Sequence, residues 1–156
     1  MRKFLVALGA LSLIVIVGAA AGVGVLAYRG SALDAESKAF VDGAVPAITT
    51  SWSKQQLLDR ATPELRQNAK PEQLAALFET VSRLGSLLEY EGATGQSYMG
   101  YNVGSGGIVS AIYLAKARFQ NGDATFRLVL MKRDGNWMIH NFRVDPTPGV
   151  RSAQRS

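Results

Sequence analysis

The segment Gly107–Asp145 constrains the fold of this chain most strongly, because it joins three runs of strand-forming residues through two tight-turn signals. The runs are Ile108–Phe119, Thr125–Met131 and Asn136–Val144, and the dipeptides Asn121-Gly122 and Asp134-Gly135 separate them. Both dipeptides favour positive φ at adjacent positions, as the tight turns of antiparallel hairpins require. A three-stranded meander with one apolar face is not stable alone in water. Residues before the meander must therefore cover it.

The first of these runs has apolar residues on both faces. Alternate residues from Val109 to Phe119 share one face by the two-residue period of a strand. Ile108, Ile112 and Leu114 lie on the opposite face. This pattern predicts that part of the strand is covered on both sides.

The residues before the meander predict helices first and two short strands after them. Helices are predicted to begin near Asp34, at Lys54, at Pro63 and at Pro71, and the last of them ends before Gly85. Pro46 is expected to kink or end the first helix, because proline lacks the backbone N–H. The short strands are Ser86–Glu91 and Gln96–Val103. This order predicts an α+β domain of residues 31–145, with helices packed on a curved antiparallel sheet of four to five strands.

The two ends of the chain lie outside this domain. Residues 146–156 contain two prolines and a polar end, which predicts a disordered tail. At the other end, Arg2 and Lys3 precede 25 uncharged residues, Phe4–Tyr28. A helix of that length exceeds the hydrocarbon core of a bilayer, which is about 30 Å thick. Residues 1–30 are therefore predicted to be an uncleaved signal anchor that crosses the membrane once, with the domain outside the cytoplasm.

Two alternatives concern the same N-terminal segment. Ala19-Ala20-Ala21 offers a signal-peptidase site, so a cleaved signal peptide and a secreted domain are the competing reading. Gly18 and Gly22 form a G-x-x-x-G pair, which lets two membrane helices approach closely. This pair predicts a homodimer contact, although glycine is also common in apolar anchors that do not associate.

Composition excludes several classes of site. The chain has no cysteine and one histidine, which excludes disulfides, thiolate metal sites and histidine-rich metal sites. Residues 108–156 carry eight Lys and Arg against three Asp and Glu, whereas residues 34–107 carry six against nine. No basic run exceeds two residues, so the basic half is interpreted as a solvated sheet face and no nucleic-acid partner is predicted.

The helices-then-strands order, together with Gly135-x-Trp137-x-Ile139-x-x-Phe142 in the last strand, resembles the nuclear-transport-factor-two-like (cystatin-like) superfamily. The resemblance is to small bacterial versions that a single N-terminal helix holds outside the cytoplasm. It implies a cone-shaped sheet, anchorage in the bacterial inner membrane and a periplasmic domain. The superfamily includes enzymes, small-molecule binders and assembly modules, so the fold does not decide the function.

An enzyme of the isomerase or dehydratase type would place an acid, or an Asp–His pair, inside the cone. His140 is the only imidazole in the sequence, and a strand histidine that bonds to backbone or solvent is the competing interpretation. Glu89 and Glu91 share a face opposite Leu88 and Tyr90, which predicts a wet surface rather than a pocket. The sequence therefore predicts a protein that is not an enzyme, with no cofactor.

Three residues are the candidates for ligand binding: Trp52, Tyr113 and His140. They would line a cleft for a small apolar or lipid-like ligand between sheet and helices. The alternative is that the aromatic residues belong to the core, with Trp137 as the surest core member. The leading hypothesis is a non-enzymatic, membrane-tethered periplasmic module for binding or assembly. Its partner would be a second copy or an inner-membrane protein.

Overall fold

The computed structural model describes residues 31–104 and 106–148. The chain divides into two units, Met1–Leu33 and Asp34–Ser156, and the domain described below belongs to the second. Gly18, Gly22 and the rest of residues 1–30 lie outside the described residues, so the anchor and its dimer contact stay predictions. Among the residues that are described, no helix is both long enough and apolar enough to span a bilayer.

Four helices precede four strands along the described chain. The helices are α1 at residues 31–49, α2 at Lys54–Asp59, α3 at Pro63–Asn68 and α4 at Pro71–Ser82. The strands are β1 at Leu87–Asn102, β2 at Gly106–Phe119, β3 at Gly122–Arg133 and β4 at Asn136–Pro148. They form one antiparallel sheet in the order β1-β2-β3-β4. This confirms the α+β class and the antiparallel sheet, while the curved cone shape stays a prediction.

The core lies between the helices and one face of this sheet, the inner face. Buried side chains alternate along β2 and β3, as the two-residue period of a strand requires. Helix α1 buries Val41, Val45 and Ile48 completely. The apolar stripe of α4 is buried at Phe78 and Val81, whereas Leu77 is only partly buried. The helix-on-sheet packing expected from the sequence is therefore present.

The short helices begin where the sequence places their caps. Ser53 Oγ accepts a hydrogen bond from the backbone N–H of Gln56 at 3.3 Å. Thr62 Oγ1 accepts one from the N–H of Leu65 at 3.2 Å, with Pro63 in the first turn of α3. Each cap satisfies a helix N–H that has no partner within its own helix.

The sequence predicts that Pro46 kinks or ends the first helix; the end is wrong, because α1 continues to residue 49, and the kink stays a prediction. Pro46 lies in the last turn, where Ile48 and Thr49 are completely buried. Two threonine hydroxyls also bond to the backbone there, Thr49 Oγ1 to Val45 O at 2.8 Å and Thr50 Oγ1 to Pro46 O at 2.6 Å. Burial and these bonds offset the hydrogen bond that proline removes.

The two short strands expected before Gly104 are one continuous strand, β1, paired with β2 from end to end. Its register shifts twice, between Leu87 and Glu89 and between Tyr90 and Gly92. Gly92 has φ +101°, a conformation that glycine adopts without a steric penalty. Gly92 therefore marks an irregularity within a single strand and not a break between two strands.

The two hairpin turns of the meander differ from each other. Asp134 and Gly135 both have positive φ, +51° and +78°, as expected for that dipeptide. In the other hairpin, Phe119 pairs with Gly122, so Gln120 and Asn121 form the turn instead of Asn121 and Gly122. The ends of this turn are bound to the residues after α4, through Asn121 N–H to Leu84 O at 2.9 Å and Gln120 N–H to Ser86 O at 3.1 Å. Those contacts, rather than positive φ, determine its shape.

Strand β4 contains a bulge at His140. Leu130 pairs with Ile139 and Val129 pairs with Asn141, so His140 has no partner on β3. The bulge puts Ile139 and Val144 on the same inner face despite their odd spacing. Strict alternation would place His140 on one face with Met138 and Val144, but the bulge puts Met138 and Val144 on opposite faces. β4 also continues three residues past Asp145 to Pro148, and residues 149–156 lie outside the described chain.

The outer face of β2 is predicted from the sequence to be covered for part of its length, but it is exposed there. Ile112 and Leu114 are 37% and 46% exposed. The predicted cover on both sides of β2 is therefore absent at these two described positions, whereas the inner face of the strand is buried.

Candidate binding groove

A groove of about 760 Å³ lies on the helical side of the domain. It is formed by the turn that follows α1, by α2, by the end of α3 and by the first turn of α4. Its lining residues are Ser51, Trp52, Ser53, Lys54, Gln55, Leu58, Arg66, Ala69, Pro71 and Leu74. We call this the helix groove.

Trp52 forms one wall of the helix groove. Trp52 lies in the turn between α1 and α2 and has a φ of +48°. This left-handed conformation is uncommon for a residue other than glycine. The indole Nε1 donates a hydrogen bond to Gly85 O at 3.0 Å. Its ring packs on Phe119 with the centroids 5.0 Å apart. These contacts hold the ring where α4 ends and the sheet begins.

Two cations border the helix groove. Lys54 is exposed in the first turn of α2. Arg66 on α3 donates from Nε and Nη2 to Ala61 O, at 3.2 and 2.9 Å, which fixes its guanidinium. No aspartate or glutamate is among the residues that line the groove. The groove therefore presents positive charge beside an apolar wall.

A smaller cavity of about 160 Å³ adjoins the helix groove, because Leu58, Ala69 and Leu74 line both. Most of its remaining lining is apolar and includes Phe142 from β4. We call this the leucine pocket. Together the two sites place two cations beside a set of apolar side chains, an arrangement that suits a ligand with an anionic head and an apolar chain.

Tyr113, the second candidate for ligand binding, is 1% exposed on the inner face of β2. Its hydroxyl lies 2.8 Å from Ser37 Oγ and donates to Asp34 O at 3.0 Å. Both of these partners belong to α1. The side chain thus joins the first helix to the sheet and does not line the helix groove.

His140, the third candidate, is half-buried at the β4 bulge. Its Nδ1 lies 3.2 Å from Thr62 Oγ1, the cap of α3. Next to it, Ile139 exchanges two backbone hydrogen bonds with the segment before α3, from Ile139 N–H to Arg60 O at 2.7 Å and from Thr62 N–H to Ile139 O at 2.8 Å. Of the three candidates, only Trp52 lines the helix groove. A ligand-binding role for Tyr113 and His140 stays a prediction.

The described acids with perturbed pKa values lie outside the groove lining. A hydrogen bond and the charge of Lys132, 2.5 Å away, lower the pKa of Glu36. Hydrogen bonds lower the pKa of Glu64: the largest effect comes from its own backbone N–H at the start of α3, and the next from Arg133. Burial and the neighbouring Asp42 raise the pKa of Tyr90. In the described part of the chain, no group of three or more His, Asp or Glu side chains is arranged to hold a metal.

No family model, no curated protein and no solved structure matches this chain. The resemblance to the nuclear-transport-factor-two-like superfamily therefore stays a prediction.

Sequence reasoning did not identify the other groove residues. Lys54, Arg66, Leu58 and Leu74 come from three different helices, and none belongs to a motif. The groove also depends on the positive φ of Trp52, which no propensity rule assigns to tryptophan, so the sequence offers no signal for it. The groove results from how the short helices pack, which is tertiary information.

Proposed function

We propose that this protein is a non-enzymatic binding module, held at the bacterial inner membrane with its domain in the periplasm, and that the helix groove binds an amphiphilic anion. The observation that carries this proposal is the pairing of Lys54 and Arg66 with an apolar wall and no lining carboxylate. The groove volume of about 760 Å³ falls in the usual range for small-molecule sites.

The chemistry of the groove specifies the ligand class. An anionic head near Lys54 and Arg66 would gain from both charges, and Arg66 is already oriented by its bonds to Ala61 O. An apolar chain would continue past Leu58 and Leu74 into the leucine pocket. Burial of each methylene contributes about 0.8 kcal/mol, so chain length should set the affinity.

The membrane tether in this proposal is supported by the sequence of residues 4–28. That segment has 25 uncharged residues after a cationic start. A tether keeps the groove close to the bilayer, where amphiphilic ligands and membrane proteins are concentrated.

Dodecanoate is the probe that tests this proposal, added below its micelle concentration to a chain of residues 31–156. We expect saturable binding of one molecule per chain by calorimetry. Lys54→Glu should weaken this binding about thirtyfold, because an attraction of about 1 kcal/mol becomes a repulsion of similar size, a change of about 2 kcal/mol.

Lys116→Glu is the matched control, since it makes the same charge change at an exposed position of β2 outside the groove lining. It should leave the affinity unchanged. Binding that does not saturate, or an equal loss in both variants, would contradict the groove as the site.

A further inference from the structure

The β1–β2 hairpin extends beyond the rest of the sheet. The last pairing between β2 and β3 joins Val109 to Lys132. Beyond it, β1 and β2 pair only with each other, from Gly100 with Ile108 to Asn102 with Gly106. We call residues 98–104 and 106–108 the hairpin tip. A two-stranded ribbon of this kind has little stability of its own in water.

The hairpin tip exposes large apolar side chains. Tyr101 is 84% exposed and Val103 is fully exposed. Tyr98, Met99 and Ile108 are each more than a third exposed. Exposed apolar residues scattered singly are ordinary, but five of them on one short ribbon form a contact surface.

The distal half of this hairpin carries no charge. The 24 residues 92–115 contain no Lys, Arg, Asp or Glu. The uncharged part of the hairpin begins at one residue pair, Gly92 with Lys116. Below that residue pair the same two strands carry an ion pair, Arg118 with Glu89 at 2.6 Å. Edge strands that face water usually keep charges to prevent association, so the distal half is suited to a non-aqueous neighbour.

The chain enters the domain beside the base of the hairpin tip. Asp34 Oδ1 accepts hydrogen bonds from Ser97 N–H at 2.7 Å and from Ser97 Oγ at 2.5 Å. Ser97 is four residues from Tyr101, about 13 Å along a strand. Tyr28, the last residue of the uncharged N-terminal segment, precedes Asp34 by six residues, a link of at most about 20 Å. The tip and the proposed tether thus meet the domain at the same place.

We propose that the hairpin tip inserts into the interfacial layer of the bilayer that holds the N-terminal segment. This inference rests on the proposed tether. Tyrosine prefers the headgroup level, where Tyr98 and Tyr101 keep their hydroxyls hydrated, and Met99, Val103 and Ile108 reach the first acyl carbons. A bilayer is favoured over a second copy because Asp34, which bonds to Ser97 at the base of the tip, is joined to the proposed tether by a link of only six residues. Lys132 is already paired with Glu36, so insertion should depend little on anionic lipid.

Insertion also orients the helix groove. Strand β2 runs from Ile108 in the tip to Phe119, which contacts Trp52 of the groove wall. Eleven residues of strand span about 36 Å. With the tip in the interface, the domain has two attachments to the membrane, and the groove wall lies at the opposite end of β2.

The absence of cysteine makes a direct depth measurement possible, because one introduced cysteine is a unique labelling site. The full chain with Val103→Cys carries an environment-sensitive fluorophore and is placed in nanodiscs at one chain per disc. Quenchers are attached to the acyl chains of the lipid. We expect a blue shift and strong quenching of the label, equal in neutral discs and in discs with phosphatidylglycerol.

Asp123→Cys is the control, since Asp123 is exposed on β3 opposite Arg118, at the other end of the hairpin. Its label should remain unquenched, and Tyr101→Glu should reduce quenching at residue 103 to the same level. A chain that integrates but shows no quenching at 103 overturns this inference alone. A chain that fails to integrate overturns the tether as well. Quenching that requires more than one chain per disc overturns the inference in favour of a second copy.

Discussion

Replacing Gly95 by valine is expected to abolish the cooperative fold of the domain. A Cβ at this position would lie 2.0 Å from the carbonyl oxygen of Ile112 and 2.8 Å from Cα of Tyr113. Both atoms belong to the backbone of β2, which cannot move without breaking the central pairing of the sheet. Tyr113 also holds α1 through Asp34, so displacement would spread to the helical layer. A loss of about 4 kcal/mol or more is expected, which is most of the stability of a typical domain.

Gly100→Val is the matched control for this substitution. It lies on the same strand, but the nearest heavy atom to its Cβ is 4.0 Å away. The control should change the free energy of unfolding by less than about 1 kcal/mol. Urea denaturation followed by circular dichroism measures both variants. Equal stabilities would show that β1 does not approach β2 as closely as described.

Removing one residue from the sheet is expected to have opposite outcomes at two positions. Deletion of Arg127 from β3 should unfold the domain. Leu128 and Leu130 are completely buried in the intact domain, and the deletion would shift them to the outer face. Deletion of His140 from β4 should leave the domain folded. It removes the residue that has no partner on β3, so the residues on either side would continue a regular ladder with Ile139, Phe142 and Val144 still on the inner face.

The His140 deletion should cost about 1 kcal/mol, mainly for the hydrogen bond with Thr62. Thermal unfolding of the two deletion variants measures the difference directly. If deletion of His140 also unfolds the domain, the bulge is required for packing and is not a neutral insertion in the strand. If deletion of Arg127 is tolerated, the assignment of the two faces of β3 is wrong.

The bulge shows where sequence reasoning reached its limit. Strict alternation places His140 on the same face as Met138 and Phe142. The spacing Ile139-x-x-Phe142, with two polar residues between, was the available sign that alternation breaks there. A two-residue period cannot locate an extra residue, because the register is fixed by pairing with another strand.

Helix caps, helix starts and one hairpin turn agree with the predictions from the sequence, because each depends on neighbouring residues. The caps Ser53 and Thr62 and the helix at Pro71 depend only on neighbouring residues, and so does the turn at Asp134-Gly135. The continuation of α1 through Pro46 and the turn at Gln120-Asn121 depend on distant contacts that override propensity. The groove depends on distant contacts as well, because its wall forms only where Trp52 contacts Gly85 and Phe119.

Amide chemical-shift mapping shows whether the helix groove is the binding site. Isotope-labelled residues 31–156 would be titrated with dodecanoate. We expect saturable shifts confined to the groove and the leucine pocket, at Trp52, Leu58, Ala69 and Leu74. Shifts at Ile112, Leu114 or Tyr101 without shifts in the groove would place binding on the exposed sheet face or the hairpin tip and would contradict binding in the helix groove.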